Sequence, residues 1–234
     1  MRLIVNEQLK RAAAAGALEF VESGMKLGLG TGTTAEIFLE LLADRVRSGL
    51  TVMGAATSER TEAKARALGI PCGALDALAP LDLDIDGADE ADRGFNLIKG
   101  GGGALLREKI VAASSKRMIV IMDDSKLVDC LGRFPLPVEV TPFGHETTAA
   151  RIREAAARGG YRDIPVGLRE RDGKAFVTDS GNLIYDCAFG AIQDAPVLAS
   201  LLGAVPGVVE HGLFIGLAST LIVASEAGLE VIGN

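Results

Sequence analysis

Strand-like and helix-like segments alternate over the first two thirds of the chain, and that alternation restricts the fold more than any other feature. Asn6 is placed to cap a helix running to about residue 21, and 25–29 reads as a short strand. A helix follows over 34–47, then a strand at 51–56. Ser58 caps a helix to Leu68, which Gly69 terminates. Residues 81–86 form a third candidate strand, 104–115 a helix behind four glycines, and 117–122 a buried strand. The expected class is α/β: an open, Rossmann-like, mostly parallel sheet with helices on both faces. The segment Leu81-Asp82-Leu83-Asp84-Ile85-Asp86 alternates strictly, as a half-exposed strand does. It therefore lies near an edge, or its first half is still loop.

The pattern changes near Gly132. Pro135, Pro137 and Pro142 punctuate the chain around a strand at 138–141, and a helix over 146–158 follows. Short strands come next, with turns at Arg171-Asp172-Gly173-Lys174 and Asp179-Ser180-Gly181-Asn182, then a helix at 196–202. This order predicts a small α+β, ferredoxin-like domain over 132–206. Residues 1–131 and 207–234 then make the Rossmann-like domain, with the strands after Val208 rejoining its sheet.

Hydrophobic residues make up 48% of the 234 and aromatics 4%, without Trp, so the core is aliphatic. A chain of this length buries roughly 70% of its unfolded surface and needs no disulfide or metal to fold. Cys72, Cys130 and Cys187 are widely spaced and form no C-x-x-C pair, which fits a reducing, cytoplasmic setting. The first apolar run is only Leu3 to Val5, unlike a signal peptide, and the apolar stretch at 212–224 is too short to span a bilayer. A net charge of −7 argues against nucleic acid, though not against a small phosphorylated ligand held by local amides and a lysine.

Four motifs carry candidate chemistry. Gly28-Leu29-Gly30-Thr31-Gly32-Thr33-Thr34-Ala35 sits between a strand and a helix. Its glycines permit a tight turn, the helix offers unpaired N–H groups, and three threonines add donors, together a phosphate cradle. It lacks the Gly-Lys-[Ser/Thr] of a P-loop, and Thr33 holds the third glycine position of a dinucleotide fingerprint. Asp86-Gly87-Ala88-Asp89-Glu90 puts three carboxylates at a strand end, where ligands of open α/β sheets bind. His145 and His211 match no metal-ligand spacing. Lys99-Gly100-Gly101-Gly102-Gly103 leads into a helix bearing Glu108. Four successive glycines are entropically expensive to order, which implies close backbone approach to something. Asp123-Asp124-Ser125-Lys126 follows a further strand. A rim carrying a phosphate cradle, carboxylates, a lysine and a candidate base suits a sugar phosphate better than four unrelated turns.

These motifs, with Phe-Pro-Leu-Pro-Val-Glu-Val at 134–140 and Pro-Gly-Val-Val at 206–209, resemble type A ribose-5-phosphate isomerase over nearly the whole chain, in order. The resemblance implies an aldose–ketose isomerase of the non-oxidative pentose phosphate branch. It interconverts D-ribose 5-phosphate and D-ribulose 5-phosphate through an enediolate, without metal or cofactor, as a homodimer or homotetramer. It also implies roles. Glu108 is the base, with Lys99 and Asp86 in the catalytic set. Thr31, Gly32, Thr33 and Thr34 bind substrate in the first loop. Asp86, Gly87, Ala88, Asp89, Lys99, Gly100, Gly101 and Gly102 line the sugar. Lys126 and Lys10 add contacts. Asp124 departs from the small residue many members carry and adds negative charge close to Lys126. On the residues alone, rival readings are a sugar-phosphate-sensing module, a CoA transferase and an amino-sugar-phosphate deaminase.

Overall fold

The computed structural model describes residues 2–233. Helix α1 (Arg2–Leu18) leads to strand β1 (Lys26–Leu29), helix α2 (Thr33–Arg47), strand β2 (Met53–Ala56) and helix α3 (Glu59–Ala67). A one-turn helix α4 (Leu75–Leu78) precedes β3 (Leu83–Gly87), β4 (Glu90–Ala91) and β5 (Leu97–Ile98). Helix α5 (Leu105–Ala113) and β6 (Met118–Asp123) follow, then β7 (Leu136–Val140) and helix α6 (His145–Arg158). Next come β8 (Val166–Leu168), β9 (Glu170–Arg171), β10 (Lys174–Ala175), β11 (Leu183–Cys187) and helix α7 (Ala195–Gly203). The chain ends with β12 (Val208–His211), β13 (Leu213–Phe214), β14 (Thr220–Ser225) and β15 (Gly228–Gly233). Ser58 caps α3 as expected, its hydroxyl accepting the Thr61 N–H at 3.1 Å. Asn6 does not cap α1, which begins ahead of it.

Two compact units result. The first runs to Ala88, takes up Arg107–Leu127 and resumes at Gly216; the second comprises Asp89–Leu106 and Val128–Ile215. These limits differ from 1–131 plus 207–234 and 132–206. The strand at Val208–His211 pairs with β7 in the second unit, and the chain rejoins the first sheet only at Thr220. Helix α5 starts in the second unit and continues in the first.

The first unit holds a six-stranded sheet in the order β15-β14-β6-β3-β1-β2. All neighbours are parallel except the β14–β15 hairpin, where the turn is too short for a crossover. Leu27, Leu29, Ile85, Ile119, Ile121 and Ile222 pack on α1, α2 and α3 across one face. Ala55, Leu81 and Val111 of α5 pack on the other. Parallel strands buried on both sides read as continuous apolar runs, and β6 is buried at every position.

The alternating segment resolves toward its second reading. Leu81 makes only an isolated bridge to Ser115, and the strand proper begins at Leu83, between β1 and β6 rather than at an edge. Asp84 and Asp86 are 0% exposed. They fit because Gly28 stands opposite Asp84 and Gly30 lies against Asp86. A Cβ on either glycine would run into the facing carboxylate. Gly28 in β1 and Gly30 just beyond it thus make room for acidic side chains of β3 as well as permitting a turn.

In the second unit, β7, α6, β8, β11, α7 and β12 come in that order, with the β9–β10 hairpin inserted between β8 and β11, and the antiparallel sheet has the order β12-β7-β11-β8. This β-α-β-β-α-β path is the ferredoxin-like arrangement. Val138, Val140, Ile152, Leu198 and Leu202 form its core. A small sheet, β13-β5-β4, belongs to the same unit.

Candidate active site

Strand order in the first unit reverses between β1 and β3: β2 lies on one side of β1, while β3, β6 and β14 extend on the other. At such a switch point the loops beyond the carboxyl ends diverge and leave a crevice. The loop after β1 and the segment after β3 flank it. They are joined there: the Thr31 N–H donates to Asp86 Oδ1 at 3.1 Å, and the Gly87 N–H donates to the same oxygen at 2.7 Å. The Gly30 N–H extends the ladder to Ile85 O at 3.0 Å.

The glycine turn between β1 and α2 forms as expected. Gly32, at φ +119°, turns the chain into α2, and no side chain caps the helix. The start of this 15-residue helix thus has no capping side chain, and such helix ends are able to bind anions. Lys10 of α1 donates to Thr33 Oγ1 at 2.9 Å, which brings its charge to that helix end. Thr33 is exposed and Thr34 half-buried. Thr31 differs: its hydroxyl lies 2.8 Å from Thr57 Oγ1, 2.8 Å from Ser58 Oγ and 3.0 Å from Thr61 Oγ1. Thr57, Ser58 and Thr61 are buried, and Thr61 also donates to Gly30 O at 3.1 Å. This hydroxyl network fastens the first loop to the start of α3, and sequence reasoning missed it. The signal was available in Thr57-Ser58-x-x-Thr61, of which only the Ser58 cap was legible.

Glu108 is 3% exposed. Val111, one helical turn further along α5, packs toward Gly28, so the same side of the helix turns both residues inward. A lone glutamate on an exposed helix face is thereby ruled out. Lys126 ends a 3-10 turn, Asp124–Lys126, directly after β6, the neighbour of β3. Asp123 Oδ1 accepts the Ser125 N–H at 3.1 Å, and Asp124 itself is exposed.

The second unit holds Asp89, Lys99 and the tetraglycine loop. Lys99 is 2% exposed, its N–H donates to Gly212 O at 2.9 Å, and its Nζ lies 5.4 Å from the centre of the Phe214 ring. Asp89 Oδ2 accepts the Gly101 N–H at 2.7 Å, and a Cβ on Gly101 would sit 2.6 Å from Asp89 Oδ1. Gly100, at φ +106°, is buried, while Gly101 and Gly102 are exposed. Among the described residues no group of three or more His, Cys, Asp or Glu side chains is arranged to hold a metal ion. No helix among them is long and apolar enough to cross a membrane.

The family model of ribose 5-phosphate isomerase A (phosphoriboisomerase A) matches residues 53–228. A relative from Rhodopseudomonas palustris strain BisA53, named Ribose-5-phosphate isomerase A, is 59% identical over 228 residues, covering 97% of this chain and 94% of its own. The chain belongs to the ribose 5-phosphate isomerase A family. The solved ribose 5-phosphate isomerase A from Methanocaldococcus jannaschii superposes with a TM-score of 0.89 at 38% identity, covering 98% of this chain and 100% of that one. A D-ribose-5-phosphate isomerase in complex with phospho-erythronic acid gives 0.90 at 36% identity, covering 97% and 99%. The α/β architecture with a mostly parallel central sheet is thus that of ribose 5-phosphate isomerase A.

Proposed function

We propose that Glu108 is the base with which this chain moves a proton between C2 and C1, interconverting D-ribose 5-phosphate and D-ribulose 5-phosphate through an enediolate. As a member of its family the chain is an aldose–ketose isomerase. The observation that carries the role of Glu108 is its burial, 3% exposed, at the start of the helix that follows the tetraglycine loop. A buried carboxylate is held in place and kept from bulk water, as a group that moves a proton to and from carbon must be.

In the ring-opened aldose, Glu108 takes the C2 proton as the carbonyl electrons move onto O1. The O2 proton passes to O1, and Glu108 returns its proton to C1. Lys99 stabilises the negative oxygen of the enediolate, where a preorganised cation is most effective. Asp86 and Asp89 hold sugar hydroxyls and assist ring opening. Gly87, Ala88, Gly100, Gly101 and Gly102 line the sugar with backbone. The phosphate binds at the start of α2, through the backbone of 31–34, the Thr33 and Thr34 hydroxyls and Lys10, and it orients the reacting carbons. Lys126 is a further contact. Support comes also from the relative that binds phospho-erythronic acid, an aldonic acid phosphate whose planar carboxylate resembles an enediolate. The reading calls for no metal or cofactor. It places the enzyme in the cytoplasm, in the non-oxidative pentose phosphate branch, as a homodimer or homotetramer.

The test is ketose formation from ribose 5-phosphate with a chelator present. Wild type is expected to turn over undiminished. Glu108→Gln is expected to lower kcat by about 10²–10⁴ while still binding substrate. Near-normal turnover of that variant would sink the assignment.

A further inference from the structure

Four consecutive glycines have the widest conformational choice a chain can have, so something outside the loop must select one conformation. In the second unit that something is Arg169, between β8 and β9. Its backbone is fixed in the sheet, with its N–H donating to Ile184 O at 2.8 Å and its O accepting from Phe176 N at 2.8 Å. Its side chain is 14% exposed. Nε donates to Asp186 Oδ2 at 2.9 Å and Nη2 donates to Asp186 Oδ1, a two-pronged pairing that locks the guanidinium plane. The remaining nitrogen, Nη1, reaches the loop, donating to Gly100 O at 2.8 Å and Gly101 O at 3.3 Å. Phe176, on the same hairpin, fills the space a Cβ on Gly103 would occupy. In a trans peptide the N–H opposes the preceding C=O. With both carbonyls drawn to Arg169, the N–H groups of Gly101 and Gly102 turn away from it, and the first meets Asp89.

We propose that Arg169 is a positioning residue of the isomerase: held by Asp186, it fixes the peptide planes of the tetraglycine loop, and with them Asp89 and Lys99, for the sugar. Lysine cannot replace it, since a point charge on a flexible stem cannot pair two-pronged with Asp186 and bridge two carbonyls at once. The inference rests on the role given above to Lys99 and the loop. The phosphate is gripped elsewhere, so loosening this loop should misplace the reacting carbons more than it weakens binding.

The experiment compares wild type, Arg169→Ala and Arg169→Lys on ribose 5-phosphate, with amide hydrogen exchange followed by mass spectrometry. R169A is expected to lose about 10- to 100-fold in kcat, to change KM less than about threefold, and to keep the pH profile of kcat. Millimolar guanidinium should restore part of the R169A rate. R169K should fall between the two. Exchange should quicken in the peptide covering 100–103 and stay at the wild-type rate in α6. R169A with wild-type kcat overturns the role of Arg169. So does a kcat loss without guanidinium rescue whose exchange quickens equally across β7, β11 and α6, since that is general loosening. If R169A does not fold, R169K decides: a wild-type kcat overturns the idea, and a drop of about tenfold at unchanged Tm supports it. Inactivity of wild type itself would instead overturn the reaction.

Discussion

Gly30→Ala tests how the chain leaving β1 makes room for the buried Asp86 of β3. A Cβ at Gly30 would lie 2.6 Å from Asp86 Cα and closer still to its carboxylate. The nearest immovable neighbour is backbone, so no side-chain rotation relieves the clash. Restoring an ordinary contact of 3.4 Å requires β1 and β3 to part by roughly 0.8 Å in the middle of a close-packed sheet. Overpacking of this kind costs about 1–3 kcal/mol. For a chain of this size that corresponds to a Tm lower by about 2–12 °C. The shift also disturbs the Thr31 N–H to Asp86 bond of 3.1 Å, so kcat should fall by at least about tenfold in protein that remains folded. Gly203→Ala is the control: its Cβ would meet nothing within 4 Å, and stability there should hold or rise slightly. Urea unfolding and ketose formation are measured for both. If G30A lies within about 0.5 kcal/mol of wild type with unchanged kcat, the steric account of the Gly30–Asp86 pairing is wrong.

Two further outcomes follow from the same structure. Asp82 accepts from Lys116 Nζ at 2.8 Å and from the Lys26 N–H at 2.9 Å, and these bonds hold its carboxyl below the usual aspartate range. Because the folded value lies below the unfolded one, Asp82 stabilises the fold above about pH 4, and that contribution fades as pH falls through the folded value. Asp82→Asn should lower the urea midpoint at neutral pH, by less than about 1 kcal/mol in stability, and the gap should close in acid; a gap that persists at about pH 2 contradicts this. Burial pushes the Cys187 thiol up to about 12, whereas Cys130 is exposed. Iodoacetamide at mildly alkaline pH should label Cys130 promptly and Cys187 only after unfolding, and prompt labelling of Cys187 in native protein would contradict its burial.

Much of this protein is settled by short-range pattern. The alternation of strands and helices, the Ser58 cap, the turn at Asp172-Gly173 and the glycine runs act over a few residues, where spacing alone dictates conformation. Motifs so placed were enough to indicate the family and a sugar-phosphate site. What a residue does across the sheet is a different matter. Asp84 and Asp86 read as the wet side of a half-exposed strand, because hydrophobic periodicity assigns every acidic residue to solvent. Only the register with β1, 55 residues away for the Thr31–Asp86 bond, shows that glycines make the room that buries them. The same holds for the Thr31 hydroxyl, which neighbours on another element engage, and for Val208–His211, which pairs with β7 instead of returning to the first sheet. Arg169 is the extreme case. It lies 69 residues from the Gly100 carbonyl it holds, and one charged residue before a short hairpin carries no local mark of such a partner. The sequence by itself determined which segments are strands and helices and which loops are rich in glycine. Tertiary structure decided which polar groups those loops are tied to, because a hydrogen bond between distant segments depends on sheet register, which no local spacing encodes.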